Sequence, residues 1–340
     1  MRLNILSLAV FIVLTQLNSK QVFASALGLA DSIALINDSV RSGRPDPLKW
    51  ASFERVTLDG RPPNSVTQLR TIPSVLTAAI YGGAVAGLHI YQANAWWSKD
   101  RAPFHITDDW SENLQNDKFG HFYASYLISY LNREALIESG FSDESAHNIG
   151  ALMGLLYQLY VETEDGYSKY WGFSPTDAYA DIAGSLFFLC QYHIPVLQNF
   201  HEKWTYFPSK FLGSGSIPGQ KRTFIDDYQG QSYWWSVDLW NLLPKGVQSD
   251  YPKFLQLAVG YTAKRNTTTG TSDLPDTREF YISLDYSLMH LLPKSNIPIV
   301  NWLIQGLDNI HFPAPAVRLT PKIKFFLLYP IQFHLGNLFF

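Results

Sequence analysis

The chain reads as an α+β protein: an N-terminal helical bundle followed by an aromatic-rich antiparallel β region at the C-terminus. Three observations predict this. Between residues 71 and 192 apolar side chains recur at helical spacing in runs bounded by capping residues. After about residue 200 the period changes to two, with turn signals between the runs. Aromatics make up 15% of the chain and charged residues only 16%, which favours large buried faces and contact with a lipid interface.

The first 26 residues are expected to be a secretory signal peptide. Arg2 is followed by an apolar run over 5–14 and then Ala24-Ser25-Ala26, an A-x-A cleavage site. Residues 27–70 form a polar segment with the turn signals "RPDP" and "DGRPPNS". The bundle is placed at 71–200 and the β region at 201–340. Within the bundle, 71–98 carries no charged side chain and has the length to cross a bilayer core. Its glycines, His89, Gln92 and Asn94 fit a buried bundle helix as well.

Three further helices are expected. Residues 117–138 bring Phe119, Phe122, Tyr123, Tyr126, Leu127 and Tyr130 onto one broad face. Ser142 caps a helix over 143–162, where Gly150 and Gly154 permit close helix contact. The last runs over 175–192 behind "SPTD", with Ser174 at the N-cap, Pro175 at the first helical position and Asp177 completing a capping box.

In the β region, Leu255, Leu257, Val259, Tyr261 and Ala263 share one strand face, and Phe280, Ile282, Leu284, Tyr286 and Leu288 share another. The polar loop between them predicts an antiparallel hairpin. Further strands are expected at 316–328 and 331–340, and a short helix in "IPIVNWLIQGLDNI". The ending "IQFHLGNLFF" resembles the last strand of bacterial outer-membrane barrels, but four to six candidate strands fall short of the roughly 8 that a closed barrel needs.

Composition excludes several function classes. A net charge of -3 supplies no basic field for phosphate backbones, so nucleic acid is not expected as a partner. Cys190 is the only cysteine and lies in an apolar run, which rules out an internal disulfide and a cysteine metal cluster, and no cysteine follows the leader to carry a lipid. Walker, dinucleotide, HExxH and GxSxG motifs are absent from the sequence.

What stands out is a set of ionisable residues at the ends of apolar helices. Asp117 and His121 lie four apart, with Lys118 beside them. Glu162, Glu164 and Asp165 close the next helix, and Asp177 and Asp181 repeat the four-residue spacing on the last. Asp117 and Asp177 also suit helix capping, and Glu164 and Asp165 suit a solvated turn. His121 and Asp181 lie inside apolar helices, where an unpaired polar group is costly. If the set converges, carboxylates plus one imidazole suit a divalent cation held by His121, Glu162, Asp177 and Asp181, or a general acid and base.

The order "DKFGHFYASY" then "ETEDGYSKYWGFSPTDAYADIAGS" resembles an uncharacterised family of predicted periplasmic or lipoprotein-like bacterial envelope proteins. It is also similar in motif layout to the VanZ-like family linked to teicoplanin resistance. On that likeness Asp117, Lys118 and His121 match an Asp-Lys-x-x-His element, Glu162 a later acid, and Asp177 and Gly184 the final element. Asp181 stands where that pattern has asparagine, which makes the set more acidic. The resemblance covers about a fifth of the chain and implies a helical envelope protein with a clustered polar site, without implying a reaction.

The expected function is that of an exported, membrane-associated cell-envelope protein, periplasmic or at the outer membrane, with a structural or binding role for the cluster. The alternative is a metal-assisted or acid/base hydrolase or transferase acting on envelope lipid or glycan. Membrane lipid or another envelope component is the expected partner, and a protein partner stays open.

Overall fold

A computed structural model describes residues 55–97, 101–215, 221–264, 276–331, 334–335 and 338–339. The leader and most of the polar segment 27–70 lie outside the described residues. Four helices come first: α1 (Thr71–Gln92), α2 (Asn116–Glu138), α3 (Asp143–Gly166) and α4 (Pro175–His193). A six-stranded antiparallel sheet follows in simple sequence order, β1 (Phe200–Tyr206), β2 (Gln231–Val237), β3 (Leu255–Lys264), β4 (Thr277–Tyr286), β5 (Ala314–Arg318) and β6 (Lys324–Tyr329). Helix α5 (Pro298–Leu307) joins β4 to β5.

The caps read from sequence form. Ser142 accepts from the Ser145 amide at 3.3 Å, and Ser174 from the Asp177 amide at 3.1 Å. Small residues let the helices close on one another. A Cβ at Gly154 would sit 2.2 Å from Ser129 Oγ, and one at Gly184 only 2.1 Å from the Phe122 carbonyl oxygen. α2 is therefore clasped between α3 and α4 and also carries the sheet: Phe119 lies 4.9 Å from the Tyr261 ring, and Phe122 5.6 Å from Trp235.

The structure departs from the sequence reading in several places. α1 is not a buried bundle helix: Ile72, Val75 and Ile80 are exposed, and Gln92 is its only buried residue. Thr71–Trp97 is the one described helix long and apolar enough to cross a membrane. α3 runs a turn beyond its expected end, to Gly166. The single strand expected at 316–328 is two strands, β5 and β6, because the turn through Pro321 reverses the chain. Of the strand expected at 331–340, only a two-residue ladder, His334–Leu335 with Leu338–Phe339, lies among the described residues. β1 and β2 had no clear signal, since "FHEKWTY" and "QSYWWSV" interleave charge, hydroxyls and aromatics.

Candidate functional site

The chain enters α2 through an unusual turn. Asn113, Leu114 and Gln115 all have positive φ, at 46°, 53° and 63°. Each such non-glycine residue costs on the order of 1 kcal/mol and persists only where its surroundings hold it. Here Tyr261 donates its hydroxyl to the Leu114 carbonyl and Arg278 donates to Gln115 Oε1 at 2.8 Å. The reversal folds Asp109 back onto the first turn of α2.

Two nodes result. The first is centred on Lys118, whose Nζ lies 2.7 Å from Asp109, 2.7 Å from Asp177 and 3.0 Å from Asp117. Asp109 also accepts from Ser174 Oγ at 2.6 Å and Thr176 Oγ1 at 3.0 Å. The second is centred on His121. Its Nδ1 lies 3.1 Å from Asp181 Oδ1 and 3.6 Å from Glu162 Oε1, while Nε2 faces Asp117 at 3.8 Å and Asp177 at 3.9 Å. Glu162 Oε2 accepts from the Ser174 amide at 3.1 Å, and Gln158 donates to Asp181 Oδ1 at 3.1 Å. Asp181 Oδ2 is buried with no hydrogen-bond partner.

Thus Asp117, Lys118, His121, Glu162, Asp177 and Asp181 come together as the sequence suggested. Asp117 does not cap α2, since Gln115 occupies the N-cap without a side-chain cap bond. Asp165 is not in a solvated turn either. It is a residue of α3, and its Oδ1 accepts from the Trp97 indole at 2.6 Å across a π-helical turn, Ala93–Trp97. Glu164 does point outward, to Arg101 at 2.8 Å. Sequence reasoning missed Asp109, Gln158, Trp97 and Tyr228, which hydrogen bonds to Asp117. Asp109 and Tyr228 lie in turns, where spacing carries no signal. Gln158 lies on α3 one turn before Glu162, and that offset could have revealed it.

The electrostatics follow from burial. Desolvation pushes the Glu162 carboxyl up to about 9, and the acids around it add to that. Burial likewise raises Asp165 to about 7 and raises Asp177, which also feels the Asp117 charge. Burial works against the charge on Asp117, but His121 and Lys118 outweigh it and hold its carboxyl low. For His121 burial opposes the proton, yet Asp181, Asp177 and Asp117 raise it well above an ordinary histidine.

The site opens on a cavity of about 320 Å³. Asp117, His121, Gln158 and Asp165 supply its polar end; Leu88, Leu127, Val161 and Trp204 are among its apolar walls. The His121 side chain keeps 17% exposure, so its ring is reachable from that space. Two triads, Asp117–His121–Asp177 and His121–Glu162–Asp181, each present ligand atoms within 4.8 Å of one another, a spacing that could hold a metal ion.

Residues 107–192 match the family described as predicted periplasmic lipoprotein (DUF2279). The match spans all of α2, α3 and most of α4, includes every clustered acid from Asp109 onward, and supports an exported, periplasmic protein. No curated protein and no solved structure matches the chain.

Proposed function

We propose that this is a membrane-associated envelope protein whose bundle binds one divalent cation beside the His121 ring, which borders a lipid-accepting cavity. The observation that carries the reading is the division of labour around the His121 ring. On the Nε2 side, Asp117 and Asp177 are already matched by the Lys118 ammonium. On the Nδ1 side, Glu162 and Asp181 face the ring with no second cation, and one Asp181 oxygen has no partner. The cation belongs on the Nδ1 side, held by His121, Glu162 and Asp181. Asp177, one of the four ligands expected from sequence, then joins Asp117 behind the imidazole and orients it, as outer carboxylates do for metal-bound histidines.

Two carboxylates and one nitrogen suit Mn²⁺ or Zn²⁺. The apolar walls of the cavity favour an acyl-bearing lipid over a glycan. The VanZ-like order of motifs is part of this reading, because its acids, lysine and histidine are the residues that meet. α1, apolar, uncharged and exposed along its length, serves as the membrane anchor in the same reading. The second reading, a hydrolase or transferase acting on envelope lipid, is favoured by the exposure of His121 to the cavity, where a cation-bound water would meet a ligand.

Thermal unfolding with Mn²⁺ or Zn²⁺ tests the binding role. A cation at about 100 times its Kd adds about 2.7 kcal/mol to stability. That gain should vanish in His121→Ala and Asp181→Asn. A melting temperature indifferent to both cations and to chelator removes the cation site. For the enzyme reading, ester and phosphoester lipids are assayed with the wild type and His121→Ala, and turnover unchanged by the substitution removes that role.

A further inference from the structure

The inner face of the sheet combines an aromatic core with buried charge: Trp234, Tyr281 and Phe326 pack there beside Lys203, Gln256 and Asp285. In an antiparallel sheet with one solvated face, apolar residues point to the core and polar ones to water. Here Lys203, Gln256 and Asp285 are all essentially unexposed, and Lys203 Nζ bonds Asp285 at 2.9 Å and Gln256 at 3.0 Å. The opposite face is defined by register: Val259 pairs with Ile282, Ile282 with Val317, and Val317 with Phe325. From β3 to β6 that row carries no charge, and Val259, Ile282 and Phe325 are 53%, 43% and 65% exposed; on β2 and β1 it continues into Trp235, which packs against Phe122 of α2, and the buried Glu202. Burying ions while exposing a broad apolar face is unfavourable in water, and becomes favourable when lipid is the solvent on that side.

A second feature lies at one end of the same sheet. β2 and β4 are each followed by the pattern Leu-x-x-Leu-Leu-Pro-Lys, as Leu239-Trp-Asn-Leu-Leu-Pro-Lys245 and Leu288-Met-His-Leu-Leu-Pro-Lys294. Both fold into a single helical turn closed in the same way: the Leu243 amide bonds the Leu239 carbonyl at 3.0 Å, and the Leu292 amide bonds the Leu288 carbonyl at 2.9 Å. Because Val237 pairs with Leu257 and Tyr286 with Leu255, the two turns flank the start of β3 at one end of the sheet. Each exposes leucine, at Leu242, Leu291 and Leu292, within three residues of an exposed lysine, Lys245 or Lys294. Lys253 adds a third cation beside them, 4.3 Å from the Trp240 ring, against a single acid, Asp250, in 239–254.

We propose that the outer face of the sheet and its paired leucine turns seat on an anionic phospholipid membrane. Leu242, Leu291 and Leu292 enter the acyl layer, continuous with Leu257 and Leu284 on the sheet, while Lys245, Lys253 and Lys294 meet the phosphates. The charge complementarity selects the occupant, since a second copy of this chain would set these lysines against each other. With open edges the sheet rests in the interface and does not traverse it. This surface is independent of the cation site and would stand if that reading failed.

The test uses the full chain with Cys190→Ser and single cysteines at Val259, Ile282 and Leu292, with Glu144 on the bundle as the aqueous control. All four positions are exposed, so labelling should leave the fold intact. Nitroxide labels are measured on phosphatidylglycerol–phosphatidylethanolamine vesicles by their accessibility to oxygen and to a water-soluble nickel chelate. The expected result is an oxygen preference at 259, 282 and 292 and a nickel preference at 144. The local readout separates this seat from anchoring by α1. Lys245→Glu with Lys294→Glu, or vesicles of phosphatidylcholine alone, should lower the oxygen preference at 292 several-fold. Nickel accessibility at the three sites equal to that at 144 overturns the proposal. So does shielding from both reagents, which would mean that protein covers the face, and so does equal seating on neutral vesicles.

Discussion

The bundle and the sheet each bury a lysine among carboxylates, and the surroundings of the two lysines differ. In the sheet, Lys203 faces Asp285 at 2.9 Å and Asp308 at 3.6 Å, and the Gln256 side chain and the Tyr286 carbonyl, each at 3.0 Å, complete its shell. In the bundle, Lys118 and His121 share six acids: Asp109, Asp117, Glu162, Asp165, Asp177 and Asp181. The sheet network does not line the bundle cavity, whereas the bundle cluster meets it through His121. A larger cleft of about 770 Å³ lies on the sheet but is lined by neither cluster. Buried charge alone therefore does not mark a site. The bundle cluster differs in its surplus of acid beside a reachable imidazole, which must take up protons or a cation.

The largest expected effect tests the sheet half of the contrast. Lys203→Met leaves Asp285 and Asp308 buried without their cation and should cost about 3–5 kcal/mol in denaturant unfolding. The loss should be the same with and without divalent cations. A cation-dependent loss would mean that the two networks are not distinct in kind.

The acid surplus also sets a pH signature. Glu162, raised to about 9, Asp165, raised to about 7, and Asp177, raised as well, hold protons in the folded state that the unfolded chain releases above its ordinary carboxylate range. The raised His121 acts in the same sense above its unfolded value of 6.5. Their contribution is full below the ordinary carboxylate range and is lost as pH climbs through about 9; burial holds His147, His201 and His311 down to about 4, which adds stability as pH rises to about 6.5, so the net loss is read above that, as a fall in melting temperature of several degrees. Asp109, Asp117 and Asp143, all held low, make stability fall again below about pH 4. Bound cation should flatten the alkaline limb by displacing those protons. A melting temperature constant from pH 7 to 9 in chelator would contradict the surplus.

Smaller effects sharpen the geometry. Gly184→Ala drives a Cβ into the Phe122 carbonyl and should cost about 1–3 kcal/mol, with the cation response weakened because Phe122 adjoins His121. A stability unchanged by this substitution would show that α2 and α4 are looser than their contact implies. Least of all, Glu162→Gln replaces an acid that is protonated at neutral pH by its isostere. It should change stability by no more than about 1 kcal/mol while abolishing the cation response. A large loss of stability with the response retained would place Glu162 in the structural network instead.

Much of this arrangement was legible in the residues. Ser142 and Ser174 mark helix starts by local hydrogen bonding and Pro175 by its fixed φ, and Gly150, Gly154 and Gly184 mark where helices approach. The spacing of Asp117 with His121, and of Asp177 with Asp181, puts each pair on one side of a helix before any tertiary contact exists. β1 was obscured because Lys203 finds Asp285 from β4, a partner that no local pattern can announce, and β2 because its hydroxyls and aromatics do not alternate by polarity.

The amino-acid order by itself determined the α+β division, the caps, the β3–β4 hairpin and which residues were available to form a cluster, because these depend on neighbours within a few positions. Tertiary structure alone decided which acids gather around Lys118 and His121. It folded Asp109 back through a left-handed turn, brought Trp97 to Asp165 and turned the apolar face of the sheet outward. Those outcomes depend on contacts between residues far apart in sequence, and on which solvent each face meets.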